Sequence, residues 1–261
     1  MTQFAVLHIQ KGTGNGGAIG RHIDRVGKQK NNIDQERSHL NRKYSYNPQD
    51  RSWSVNALQG VNNLANKVKK RILEGKTDGK TIRKDAVKYV SVLLSMSHDA
   101  VIRNINEWAG ENYVFLAKEF GLKNIVDFTV HLDERTPHIH ATIVPITRDG
   151  RLSAKEIIGN RKNLTRLQTN YAESMAKFGL QRGHHYSPGE SVPRHVDVNE
   201  YYEILANPPK ELQLNVDNEI SSEFKAIIAH FQEKKKLRVA EEKKAEIEKK
   251  KGQKRKRGFR L

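Results

Sequence analysis

The sequence contains no cysteine. That excludes disulfides, thiolate nucleophiles and cysteine-ligated metals, and it suits a cytosolic protein. Long apolar runs are missing too. No stretch approaches the ~20 residues that a membrane-spanning helix requires. The amino terminus, MTQFAVLHIQKG, lacks the basic and apolar segments of a secretory signal. Acidic residues are in short supply: 47 Lys and Arg stand against 30 Asp and Glu, a formal charge of +17. Such an imbalance favours a polyanionic partner. Residues 231–261 hold 14 basic and 5 acidic residues, and the rest of the chain is basic on its own account. Apolar residues make up only 36 % of the 261, yet this length is enough to bury one substantial core.

What is present divides into short patterned segments. FAVLHIQK (4–11) predicts a strand, and the glycine-rich KGTGNGGAIG (11–20) predicts a turn leading into a helix, RHIDRVGK. The turn has no Gly-Lys-Ser/Thr ending, so a flexible loop is expected rather than a nucleotide cradle, and no small-molecule cofactor is implied. Residues 28–54 read as polar and irregular. Leu58, Val61, Leu64, Val68 and Ile72 recur at three- and four-residue spacing before Gly75, predicting an amphipathic helix over 55–74. DAVKYVSVLLS (85–95) predicts a strand. Ser97 is a candidate cap for a helix carrying Val101, Ile105, Trp108, Phe115 and Phe120 and closed by Gly121. Leu164, Leu167, Tyr171, Met175 and Phe178 mark a further helix closed by Gly179, and residues 183–195 read as loop. Beyond about residue 210 the texture turns highly charged. A core domain over 1–205 and a helical basic extension over 206–261 are expected.

The densest chemistry lies in HLDERTPHIH, residues 131–140, which holds three of the chain's 11 histidines. IVDFTVHLD (125–133) and HIHATIVPI (138–146) read as two strands joined by a tight turn. Side chains alternate faces along a strand. His138, His140 and Thr142 therefore share one face, and Asp127, Thr129 and His131 share one in the partner. Val126, Phe128 and Val130 face the other way, with Ile139, Ala141 and Ile143. Paired as a hairpin, the strands put all three imidazoles on one side, as a three-histidine metal site requires. Asp133 and Glu134 at the turn are candidates for a fourth ligand or for orienting a ring. Imidazoles with a carboxylate suit a divalent first-row metal that keeps one position open to substrate.

Together these residues carry a resemblance. HLDERTPHIH resembles the HUH metal motif of single-strand DNA endonucleases, and in this longer form that of the Mob/Pre plasmid-mobilisation relaxases, the MobV family. GGAIGRHIDRVGK with NIDQERSHLN (16–41) and TIRKDAV (81–87) resemble the same family in the same order. Arg182, Gly183, Arg194, His195 and Tyr201 continue the likeness, which covers about residues 1–205. The resemblance implies an α+β fold, a central antiparallel sheet flanked by helices with the metal on its open face. It implies a relaxase that nicks one strand at an origin of transfer, stays joined to the 5′ phosphate and later religates. It implies a Mn2+ or Mg2+ cofactor, single-stranded origin DNA as partner, and a conjugation coupling protein as a further one. His131, His138 and His140 would be ligands, with Glu134 favoured over Asp133 as the fourth member.

Transesterification needs a side chain that attacks phosphorus. In the family this is taken to be the histidine of His-x-x-Arg, here His22, and a neutral imidazole is a competent nucleophile near pH 7. Arg25, three residues on, is expected on the same helix face with its fork toward the phosphate. Tyr44 is the alternative nucleophile, with Tyr46 beside it. The acidic position in NNIDQERSHLN is open between Asn32 and Asp34, and Asp34 either orients His22 or serves the turn. Phosphate contacts are expected from Arg21, Arg25, Arg37, Arg83 and Lys84. Trp53, Tyr44 and Tyr46 lie in a polar region and are expected exposed, as surfaces on which bases stack. Trp108 belongs to the core, and His39 is the candidate for supporting the site from behind. A rolling-circle initiator or single-strand transposase would use the same chemistry. A DNA-binding protein with a purely structural metal is the reading from another class.

Overall fold

Seven segments pair into one sheet in this computed structural model, which describes residues 3–29, 32–47, 49–61, 63–97 and 100–184. These belong to one compact unit, Met1–His185. The expected extension, the domain end at 205, and Arg194, His195 and Tyr201 lie outside the described residues. The strands are β1 (Gln3–Gly12), β2 (Arg42–Asn47), β3 (Ser52–Ala57), β4 (Tyr89–Met96), β5 (Ile125–His131), β6 (His138–Ile143) and β7 (Leu180–Arg182). Their order across the sheet is β3-β2-β5-β6-β4-β1-β7. The pairings are antiparallel with one exception: β7 joins β1 in parallel, so the sheet is mixed rather than antiparallel throughout.

Helices cover both faces. On one, α3 (Ile105–Phe120) and α5 (Arg161–Met175) bury Trp108, Leu116, Tyr171 and Met175 against Leu94, Phe128, Val130, Ile139 and Ala141. Trp108 is fully buried, as its apolar stripe predicts. On the other, α1 (Gly17–Ile23) and α2 (Leu64–Gly75) cover only part of the sheet, packing Ile23, Leu64, Val68 and Ile72 on Val144 and Ile146. The short α4 (Ala154–Ile158) is capped by Ser153.

Four expectations are corrected. The helix predicted from residue 55 begins at Leu64, because Gly60 takes a φ of +65° and residues 52–57 pair as β3. The polar segment 28–54 carries β2 and a 3-10 turn, Gln35–Leu40. Ser97 does not cap α3. Asn104 does, its side chain accepting from the Glu107 backbone N–H, whereas Ser97 Oγ accepts from the backbone N–H of Phe4. Finally, a bulge between Ile125 and Asp127 shifts the register of β5, so Val126 packs with the α1–α2 core instead of beside Phe128.

Candidate metal and phosphoryl-transfer site

The hairpin alternation holds where it matters: His131 lies opposite His138 and Thr129 opposite His140. The three rings sit 5.0–5.1 Å apart, centroid to centroid. One ligand atom from each falls within 4.8 Å of the others. The tautomers follow from their partners. His131 Nε2 is 2.8 Å from the carbonyl of Ile23, and His138 Nδ1 is 3.0 Å from that of Thr136. A carbonyl only accepts, so both of these nitrogens carry the proton. In neutral rings the remaining atoms, His131 Nδ1 and His138 Nε2, present lone pairs to each other at 3.3 Å.

Two acceptors so placed repel unless a cation lies between them. Two nitrogens bound to one divalent ion at about 2.1 Å are separated by about 3.4 Å near tetrahedral geometry, close to the spacing seen here. The buried Nδ1 of His140 has no hydrogen-bond partner. Burial first, then the Arg25 charge and the nearness of His138, holds the His131 pKa well below the usual imidazole value. Burial again leads for His140, followed by the neighbouring histidines. Neutral rings, fixed tautomers and aligned lone pairs together fit a divalent metal.

The two acids at the turn take different parts. Asp133 is fully buried and accepts from Arg25 Nε (2.8 Å) and Nη2 (2.6 Å), Ser38 Oγ (2.7 Å) and Asn41 Nδ2 (2.7 Å). Burial alone would raise its pKa, but these donors reverse that and hold it well below the carboxylate range. With its oxygens so occupied, Asp133 is an anchor. Glu134 accepts from Arg25 Nη2 and Asn32 Nδ2, and its Oε1 stands 3.6 Å from His138 Nε2, the atom that faces His131. Asn32 thus serves Glu134, while Asp34 caps the 3-10 turn by accepting from the Glu36 N–H.

His22 is brought to the site from more than a hundred residues away. It occupies the last turn of α1, its ring 5.3 Å from that of His140 and 6.2 Å from that of His131. Arg25 does not share its helix face. The helix closes at Asp24 and Arg25 adopts a left-handed conformation, φ +54°. The Val26 N–H donates to the carbonyl of Arg21, and the Arg25 N–H to that of His22, a Schellman closure in which glycine is usual. From there the guanidinium reaches Asp133, Glu134 and the His22 carbonyl, with only 7 % of the side chain exposed. Arg25 joins α1 to the hairpin and does not point outward as a phosphate fork.

The family described as plasmid recombination enzyme (Mob_Pre) matches residues 1–203. The chain belongs to the Mob_Pre family. A plasmid recombination enzyme type 3 of Staphylococcus aureus is 35 % identical over 208 residues, covering 75 % of this chain and 46 % of that protein. A plasmid recombination enzyme of a Bacillus species is 32 % identical over 256 residues, covering 90 % of this chain and 57 % of its own. The chain thus spans about half the length of these curated relatives. Among solved structures, a MobM relaxase domain bound to a 22-nucleotide origin-of-transfer DNA of plasmid pMV158, with Mn, superposes with a TM-score of 0.62. It is 27 % identical and covers 77 % of this chain and 98 % of that one.

Within this Mob_Pre chain the remaining candidates spread out. Tyr44 is buried, against the expectation that it is exposed. Its register places it on the α3–α5 face of the sheet, where its hydroxyl donates to Asn106 Oδ1 at 2.5 Å and its ring meets Phe128. Burial raises its pKa, with Arg42 opposing. It neither faces the histidines nor offers a ring to DNA. Tyr46 is half-buried beside Trp53, which is 42 % exposed and packs on Tyr113. Arg21 and Arg37 are exposed near the site. Arg83 and Lys84 are exposed too, but they precede the end of β4 that pairs with Gly12, away from the 132–137 turn. His39 is exposed, its Nδ1 against the Glu36 carbonyl, and does not back the site.

The sequence reading missed an ionic chain beside the end of α1. Lys43 Nζ binds Asp24 (2.6 Å) and Asp127 (3.0 Å), and Lys67 Nζ binds Asp127 (2.6 Å). Burial opposes the Lys43 charge, but Asp127 and Asp24 outweigh it and raise its pKa. Asp127 shares the histidine face by the same alternation, which was the available signal. Asp24 and Lys43 meet only through tertiary pairing.

Proposed function

We propose that the chain is a metal-dependent, strand- and site-specific DNA relaxase that nicks the origin of transfer of a mobilisable plasmid by transesterification. The observation that carries this is the His22 ring facing a three-histidine cluster whose lone pairs are poised for one cation. Membership in Mob_Pre and the likeness to a Mn-bound relaxase domain on origin DNA support it.

His131, His138 and His140 would hold the metal, Mn2+ or Mg2+, with Glu134 as the fourth member. A divalent cation there supplies Lewis acidity toward a nonbridging phosphate oxygen. His22, in its neutral form, directs a ring lone pair at phosphorus. A P–N bond forms, the P–O3′ bond breaks, and the leaving oxygen takes a proton to become a 3′ hydroxyl. Religation runs the same exchange in reverse. Arg25 holds α1 and the hairpin in register and fixes Glu134. The same reading places the reaction in the bacterial cytoplasm, with a coupling protein as partner. No helix among the described residues is long and apolar enough to cross a membrane.

Incubation with single-stranded origin oligonucleotides and Mn2+ should yield a covalent protein–DNA band that EDTA abolishes and His22→Ala removes. The adduct should be lost in mild acid, as a phosphoramidate is and a phosphotyrosine is not. An acid-stable band, or one that persists in His22→Ala, refutes the histidine nucleophile. No metal-dependent cleavage of any origin strand refutes the relaxase reading itself.

A further inference from the structure

The sheet face that carries the histidines is only partly covered. Helices α1 and α2 bury its far portion around Val126, Val144 and Ile146. Toward β4 and β1 no described helix covers it, and there the pairing register places a short apolar strip. Val6 lies opposite Ser95, and Phe4 is two residues further along β1 on the same face. Phe4 is 40 % and Val6 41 % exposed, and neither belongs to either apolar core. Leu93, half-buried on the same face, lies opposite His140.

An interior strand presenting Phe and Val to solvent is unusual for a sheet face with no partner. The strip is also continuous with the metal site. Ser95 Oγ donates to the carbonyl of Pro137, next to His138, so Val6 stands two strands from the cluster. At ~4.8 Å between strands, that is about 10 Å. Only the small Ser95 stands between them on that line. A DNA strand whose phosphate sits at His22 and the cluster is blocked on one side by α1 and α2, and its bases meet this strip on the other.

We infer that Phe4, with Val6 beside it, is a stacking platform for a base of the single strand close to the scissile phosphate. The inference rests on the relaxase reading and assigns the strip a role within it. Its chemistry is sequence-tolerant: a ring and a branched apolar side chain take the flat face of any base, while the cluster takes the backbone.

The test uses the full chain in the His22→Ala background, so that no strand is cut. Binding is measured with the intact origin oligonucleotide and with a series carrying one abasic nucleotide stepped across the nick. Phe4→Ala should weaken binding of the intact strand about 5- to 150-fold, the range of base–aromatic stacking. Phe4→Tyr should bind as the parent does. One abasic position should weaken the parent by a similar factor, and on that strand Phe4→Ala should cost nothing more. Equal losses by Phe4→Ala on every strand, intact or abasic, overturn the platform. So does unchanged DNA binding by Phe4→Ala. A lowered melting temperature of the DNA-free chain beside it would mean the strip is covered by the chain's own residues or by a second copy. If the parent chain binds no origin strand, it is the relaxase reading that falls.

Discussion

At the scale of single residues, Arg25 concentrates the most consequences. A non-glycine residue in the left-handed region costs ~1 kcal/mol or more, and here the guanidinium bonds to Asp133, Glu134 and the His22 carbonyl offset it. Lysine keeps the charge but loses the fork. Arg25→Lys should lower stability by about 1–3 kcal/mol and cut adduct formation at least tenfold, read by thermal melting and nicking rate. A variant with full nicking activity would show that the link between α1 and the hairpin is dispensable. The histidines set a pH dependence. With folded pKa values held well below the ordinary imidazole value of 6.5 for His131 and His140, the unfolded chain takes up protons that the folded chain refuses. Stability of the metal-free chain is therefore full above about pH 6.5 and falls as the pH drops below it. Melting should decline between pH 7 and 5, and a flat profile would contradict the buried neutral rings. Much of this site was legible in the sequence because alternation alone places three imidazoles on one face. The direction of Arg25 was not, since the left-handed closure after α1 has no glycine to announce it.

At the scale of elements, the ionic chain through Lys43 fastens β2, β5 and the end of α1 together. Removing one member of such a buried pair leaves an uncompensated charge and costs about 3–5 kcal/mol. Lys43→Met and Asp24→Asn should each destabilise the fold, and together by less than their sum, a coupling of about 1–3 kcal/mol in a double-mutant cycle. Strict additivity would mean that the contact contributes nothing. Elements with a buried face were readable: β1, β4, the hairpin, α3 and α5 all follow their apolar periodicity. The ribbon β2–β3 was not. Every residue of β3 is exposed, so its sequence SWSVNA carries no alternation between a buried and a solvated side. Leu58 and Val61 continued a helical spacing by coincidence, and Gly60 breaks it.

At the scale of the whole molecule, charge extends well beyond the site. The formal +17 is shared between the body and residues 231–261, and each phosphate contact releases counterions. Deleting residues 232–261 should flatten the salt dependence of oligonucleotide binding while covalent adduct formation persists at low salt. Loss of the adduct at low salt would place those residues in the chemistry. The fold class followed from the hairpin and the family resemblance. The parallel β7 did not, because three residues pairing with a strand at the opposite end of the chain leave no local trace. Sheet order carries one further consequence, for synthesis. Strand β1 lies between β4 and β7, whose residues begin at 89 and 180, and His22 meets histidines that end at His140. A nascent chain therefore displays His22 long before the cluster it will meet has been made. No fragment released before β6 has left the ribosome can assemble the three-histidine cluster, so on the proposed relaxase reading truncated products could not cut.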